Sequence, residues 1–280
     1  MRRWLGSELA RLRNAAGLTQ REVANRLGCS VARVSYLESG ERTAKASELR
    51  DVLLDLYGVA PTDRDRYLHA ANVASQQGWW DRLGEEDVPR TERRYLGIED
   101  GATRLRAFLP SIVHGLLQTP DYTRGVLRSY KTLPEARIVR LIDLRRIRQE
   151  LLTREDRPLE AHFLLDEAAV TRQVGSPATM KSQLDHIANI SDNLPNVTVQ
   201  VVPFEAGSHG AYFGPFSILE LPWGDDSGVV YVEGLAESRY LEARAEVYEY
   251  ATLFERLIEI ALSPQDSVQF VRGRSARLAG

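Results

Sequence analysis

The chain has 280 residues, 43% of them hydrophobic, a net charge of −3 and one cysteine, Cys29. Such a length suits two domains, each with its own core, and a single cysteine excludes an internal disulfide framework. Without an apolar run of membrane length or a signal-peptide core, the expected location is the cytoplasm.

A slightly acidic balance argues against nucleic acid until its distribution is read. The first 50 residues hold ten of the 36 Lys and Arg and five of the 39 Asp and Glu, net +5, which leaves 26 against 34, net −8, for the rest. Basic character therefore sits at one end.

Leu9 and Leu12 begin a helical stripe that Gly17-Leu18 breaks. Thr19 with Glu22 three residues on forms a capping box, in which each side chain satisfies a backbone N–H left orphaned by the first turn. Val23, Ala24 and Leu27 share one face of that second helix, and Gly28 closes it with a positive φ. Ser30 caps a third helix whose Val34 and Leu37 face inward, leaving Val31, Ala32, Arg33, Ser35, Tyr36 and Ser39 outside. This spacing predicts a helix-turn-helix over Thr19 to Gly40, against the plainer alternative of an ordinary helical hairpin. Leu49, Val52, Leu53 and Leu56 form a fourth stripe. Pro61-Thr62 opens a fifth helix, with Thr62 and Asp65 as a possible cap and Tyr67, Leu68, Ala71 and Val73 apolar.

In the run LARLRNAAGLTQREVANRLGCSVARVSYLESGER the first 60 or so residues resemble the Cro/C1-type (XRE-like) DNA-binding domains. The resemblance implies that the third helix enters a major groove by its N-terminal part, so base reading is expected of Val31, Ala32, Arg33 and Tyr36. Val31 and Ala32 suit thymine methyl groups, and Arg33 suits guanine or a phosphate. Gln20, at a helix N-terminus, is expected on the DNA backbone together with Ser30, Ser39, Arg42 and Lys45. Arg2, Arg3, Arg11 and Arg13 either approach phosphates or solvate the surface. One such head makes few phosphate contacts, so the expected complex is a homodimer on a pseudopalindromic double-stranded operator.

Residues 75–94 read as a connector, with Trp79-Trp80 anchoring it and Glu85-Glu86-Asp87 forming an acidic turn. From Tyr95 the chain reads α+β. Strand signals fall at Arg104 to Phe108, Ala161 to Leu165, Val197 to Val202, Phe213 to Leu221 and Val229 to Val232. Helices are expected from Asp121, from Pro134 to about Thr153, from about Pro177 to Ser191 and from about Leu241 to Leu262. The arginines of the Pro134 helix, Arg137, Arg140, Arg145, Arg146 and Arg148, read as a solvated face. The turn Gly224-Asp225-Asp226-Ser227-Gly228 favours antiparallel or mixed pairing, and the tail after Ser263 reads as frayed. The expected architecture is multidomain: an all-α five-helix DNA-binding head at 1–74, the connector, and an α+β domain at 95–280 with a mixed or antiparallel sheet.

The segments GLLQTPDY, LLDEAAVTRQVG, MKSQLDHI, NVTVQVVPFEAGSHGAYFGPFSILELP, VVYVEG and IALSPQDS resemble the actinobacterial DUF5753 domain, which follows an XRE-like head in regulators called Scr1-type antitoxin-like or WhiJ-like. The resemblance implies a cytoplasmic transcription factor, often paired with a small DUF397-type protein. It departs from the family at His114, where proline usually stands.

Chemistry is weakly marked. Asp166-Glu167 point to opposite faces if on a strand, and Asp166 before AAV reads as a helix cap. His69, His114, His162, His186 and His209 include no HxxxH pair, so no metal site is expected. Ser208-His209-Gly210 has no acidic partner in a familiar triad order, and no GxGxxG or P-loop is present. No catalytic residue and no cofactor is expected. The loop from Gly207 to Gly214, with His209, Tyr212 and Phe213, reads as a plain hairpin loop or as a ligand or partner surface. The expected function is a sequence-specific transcriptional regulator whose second domain dimerises and binds a small protein or ligand. The alternatives are an antitoxin-like interaction module that neutralises a small DUF397-type partner and contacts DNA only for autoregulation, and an enzyme with a DNA-targeting head.

Overall fold

A computed structural model describes residues 2–75, 88, 90–130, 132–211, 214–222, 228–234 and 237–278. Trp79, Trp80, Glu85, Glu86, Asp87, Tyr212, Phe213 and residues 224–227 of the expected turn lie outside them. The chain divides into two compact units, Met1–Leu83 and Gly84–Gly280.

The first unit is helical: α1 Arg2–Ala15, α2 Gln20–Leu27, α3 Val31–Glu38, then α4, built from Ala46–Glu48, a π-helical segment Leu49–Leu53 and Leu54–Leu56, and α5 Pro61–Ser75. The local signals act as their chemistry requires. The Thr19 N–H donates to Glu22 Oε2 at 2.8 Å and Thr19 Oγ1 accepts from the Glu22 N–H at 3.3 Å, while Gly28 takes φ 64°. Those bonds from Thr19 hold the Glu22 carboxyl below its usual range. Leu5, Leu9, Val23, Val34, Leu37, Leu49, Leu53, Leu54 and Tyr67 form one buried core. Gly6 is the closest approach in this packing: a Cβ there would lie 2.6 Å from the carbonyl oxygens of both Leu37 and Glu38. Only a residue without a side chain lets α1 lie against the end of α3.

The second unit contains α6 Arg90–Gly101, β1 Arg104–Leu109, a 3-10 turn Gly115–Leu117, α7 Pro120–Tyr130, and α8 Glu135–Gln149 with a 3-10 turn Glu150–Leu152. After these come β2 Glu160–Asp166, α9 Glu167–Thr171, α10 Pro177–Asn193, β3 Val197–Val202, β4 Phe216–Glu220, β5 Gly228–Val232, β6 Arg239–Leu241, α11 Arg244–Ile260 and α12 Pro264–Arg277. Residues 90–94, read as connector, are the first turn of α6.

The sheet is mixed, in the order β3-β2-β1-β4-β5-β6. β1, β2 and β3 run parallel, and β4, β5 and β6 continue antiparallel, with Ala107 opposite Phe163 on one side and Ser217 on the other. Phe108, Leu164, Phe216, Ile218 and Val230 pack with Phe254 and Leu257 of α11 on one face. On the other, Phe163 meets the His114 ring at 5.0 Å.

Three sequence expectations are corrected. The helix expected from Leu241 starts at Arg244, because Leu241 pairs with Val230 in the edge strand β6. The tail after Ser263 is the ordered helix α12: Ser263 caps Asp266 at 3.1 Å, Pro264 starts the helix, and Ser267, Val271 and Ser275 are buried. The basic face of α8 is not uniformly solvated. Arg148 donates to both oxygens of the fully buried Glu99, at 2.7 and 2.8 Å, and Arg145 turns inward to Gln118. Burial and the neighbouring Arg148 lower the Arg145 guanidinium to about 10.

His114 departs from the expected proline without losing its geometry. Its φ is −59°, the value a pyrrolidine ring imposes, and its Nδ1 accepts from the Leu116 N–H at 3.2 Å to start the 3-10 turn. Burial and the cations Arg148 and Arg145 push its pKa well below the usual imidazole range.

Candidate nucleic-acid interface

Helix α3 is seated by Val34 and Leu37, at 2% and 3% exposure, and everything else on it is arranged around that stripe. Ser30 Oγ accepts from the Arg33 N–H at 3.2 Å, so this hydroxyl is engaged in capping the helix that would enter a groove. Val31 and Tyr36, each 41% exposed, stand on the outer side with Ala32, Ser35 and Ser39. Ser35, one turn from Val31, belongs to this face by position, although sequence reading left it out of the base-reading set.

Arg33 is expected outside with these residues and instead is half-buried. Its Nη2 donates to Glu48 Oε1 and Oε2 at 2.8 and 2.9 Å, and these bonds raise the guanidinium's already high pKa. Glu48 also accepts from the Lys45 N–H at 3.0 Å, so one carboxylate of α4 fixes both the arginine of α3 and the loop after it. Nη1 and Nε of Arg33 have no protein partner in this arrangement.

Gln20 is fixed in a comparable way. Its Nε2 donates to Glu38 Oε2 at 2.9 Å, and Glu38 also receives Arg13 at 2.6 and 3.1 Å. The second N–H of the Gln20 amide is left over, in an orientation set by Glu38. Arg13 is thereby a structural cation, not one reserved for phosphate. Arg11 is paired with Glu8 at 2.9 Å, and the side chains of Arg2 and Arg3 lie outside what is described.

Arg42 lies over the Tyr36 ring, 5.7 Å from its centroid, and its N–H donates to the Tyr36 carbonyl at 2.9 Å. Ser39 Oγ donates to the same carbonyl at 3.3 Å. Tyr36, Ser39 and Arg42 are thus one unit at the end of α3. Lys45 is exposed, and among the described residues neither it nor Arg42 has an ion pair.

The model of a helix-turn-helix domain matches residues 4–67, and that of the family described as a domain of unknown function, DUF5753, matches residues 92–273. The chain belongs to the DUF5753 family. No curated protein and no solved structure matches it. The helix-turn-helix match points to DNA-binding regulation and gives α3 its meaning as the recognition helix.

The DUF5753 unit treats the remaining candidates differently. Asp166 Oδ1 accepts from the Ala168 N–H at 2.8 Å, capping α9, and Asp166 Oδ2 lies 3.5 Å from His209 Nε2. The acidic neighbour of His209 is therefore 43 residues upstream, out of reach of local reading. His209 Nδ1 accepts from the Ala211 N–H at 3.3 Å, and its ring meets Phe108 edge-on at 5.5 Å. These contacts make His209 a half-buried clasp of the loop onto the ends of β1 and β2. Among the described residues no group of three or more His, Cys, Asp or Glu could hold a metal, and no helix is long and apolar enough to cross a membrane.

Proposed function

We propose that the chain is a sequence-specific DNA-binding transcriptional regulator in which Val31, Ala32, Arg33 and Tyr36 read bases. Gln20, Ser39, Arg42 and Lys45 contact the backbone, and Ser30 contributes by capping α3. The observation that carries this reading is the division of α3: its core stripe is fully covered within the head, while Val31, Ala32, Ser35, Tyr36 and Ser39 are left uncovered at the N-terminal and outer side. The unpaired fork of Arg33 and the remaining N–H of Gln20 both offer donors, as phosphate oxygens and guanine require. Few unpaired cations surround the helix in one head, so binding at physiological salt calls for two heads, with the DUF5753 unit joining them and receiving a small protein partner or ligand.

The test is the double variant Arg33→Ala/Tyr36→Ala in a salt-controlled shift assay on an operator selected from a randomised duplex pool. Two lost base contacts of about 1–3 kcal/mol each weaken operator binding by about 100-fold or more, with little change in stability. Wild-type affinity in the folded variant would overturn the assignment. A stoichiometric small partner whose removal leaves operator affinity unchanged would favour the interaction-module reading instead.

A further inference from the structure

The last helix of the DUF5753 unit carries Arg272, Arg274 and Arg277, and among the described residues they are not equally answered. Arg272 pairs with Asp192 of α10, and Ser275 donates to Asp185 of the same helix. These contacts dock α12 on α10. Arg274 and Arg277 have no ion pair among the described residues. Both line a cavity of about 100 Å³ whose other walls are Val170, Thr171, Leu184 and Leu278. Val170 and Leu184 are 1% and 0% exposed, so the floor belongs to the core. Thr171 Oγ1, at the end of α9, is buried and makes no hydrogen bond.

Each part of this lining excludes a class of occupant. Two guanidiniums repel a cation. A neutral apolar molecule leaves both arginines and the buried hydroxyl unanswered, which is unfavourable for a desolvated polar group. Inorganic phosphate carries oxygen on every side and would press it against Val170, Leu184 and Leu278. A carboxylate at one end of a short hydrocarbon meets all of these demands, since arginine pairs with its two oxygens and the methyl-lined floor takes the tail.

We propose that this cavity is a binding site for a short-chain aliphatic carboxylate. Arg274 and Arg277 hold the carboxylate, the Thr171 hydroxyl donates to one of its oxygens, and the tail lies on Val170, Leu184 and Leu278. The bound molecule links the end of α9 to the end of α12. The site is independent of how the head reads DNA, and it is tested without DNA.

The experiment follows the methyl resonances of Val170, Leu184 and Leu278 in the full chain during titration with sodium valerate, 1-pentanol and sodium phosphate at matched ionic strength. Valerate shifts these methyls saturably, and the other two bind at least about tenfold more weakly, the order of one charge-assisted contact set. Arg274→Gln/Arg277→Gln lowers valerate affinity by about tenfold or more, and Thr171→Val, which keeps the shape of the side chain, lowers it by about threefold or more. An absence of saturable shifts, meaning a cavity filled by water alone, overturns the proposal. So does phosphate binding as tightly as valerate, or wild-type valerate affinity in Thr171→Val or in the folded double variant.

Discussion

Replacing Glu48 by glutamine separates an arginine that is aimed from one that merely carries charge. In the free head both hydrogen bonds from Arg33 Nη2 end on the Glu48 carboxylate. The two side chains are 25% and 22% exposed, so solvent screens the pair and its contribution to folding is below about 1 kcal/mol. Its effect on recognition is larger. An unrestrained arginine loses up to about 2 kcal/mol of rotamer freedom when a base fixes it, and Glu48 imposes much of that loss before DNA arrives. A bidentate arginine distinguishes its base pair by about 1–3 kcal/mol. Glu48→Gln therefore lowers discrimination at that pair by about tenfold, equivalent to about 1.4 kcal/mol. Affinity for unrelated duplex rises, because each head loses one negative charge. The assay compares, at fixed salt, the selected operator with its single-pair variants, using Arg33→Ala to mark the position that Arg33 reads. If Glu48→Gln discriminates at that position as wild type does, Arg33 is not oriented by its carboxylate partner and the argument is wrong.

Two further predictions concern the DUF5753 unit. Glu99→Gln leaves the buried Arg148 guanidinium without a counter-charge and beside Arg145, and costs about 3–5 kcal/mol in chemical denaturation. A loss under about 1 kcal/mol would mean that water reaches the pair. His114, His162 and His186 all have lowered pKa values, chiefly through burial, so below about pH 6.5 the unfolded chain binds more protons than the folded one. Stability is then fully present above that pH and falls as pH drops toward the folded values. His114→Pro keeps the required φ and removes one of these protons, reducing the slope by up to about 1.4 kcal/mol per pH unit. An unchanged slope in denaturation midpoints from pH 6.5 to 5 would show that the imidazole is solvated.

What could be read from the sequence was what lies within a few residues of itself. Thr19, Glu22, Gly28 and Ser30 fix helix ends through contacts three or four positions apart, so the head could be drawn residue by residue. The five strand signals held for the same reason, since alternation is local. The order in which strands join is set by distant partners: β1 lies between β2 and β4, 50 and more residues away. Arg33 with Glu48, Arg148 with Glu99 and His209 with Asp166 are likewise pairings that only folding brings about, which is why arginines that looked solvated are held inside. Helix α12 escaped reading because it docks through two serines and one valine, a stripe that polar composition conceals.

Gly6 gives the head a property of another kind. Because α1 rests directly on the main chain at the end of α3, and Val34 and Leu37 secure the rest, the seat of that helix uses none of the side chains on its outer face. Positions 31, 32, 35 and 36 can be exchanged, by drift or by an engineer, without moving the scaffold beneath them. Sister proteins with this same foundation could thus diverge to different genomic addresses through a handful of surface substitutions.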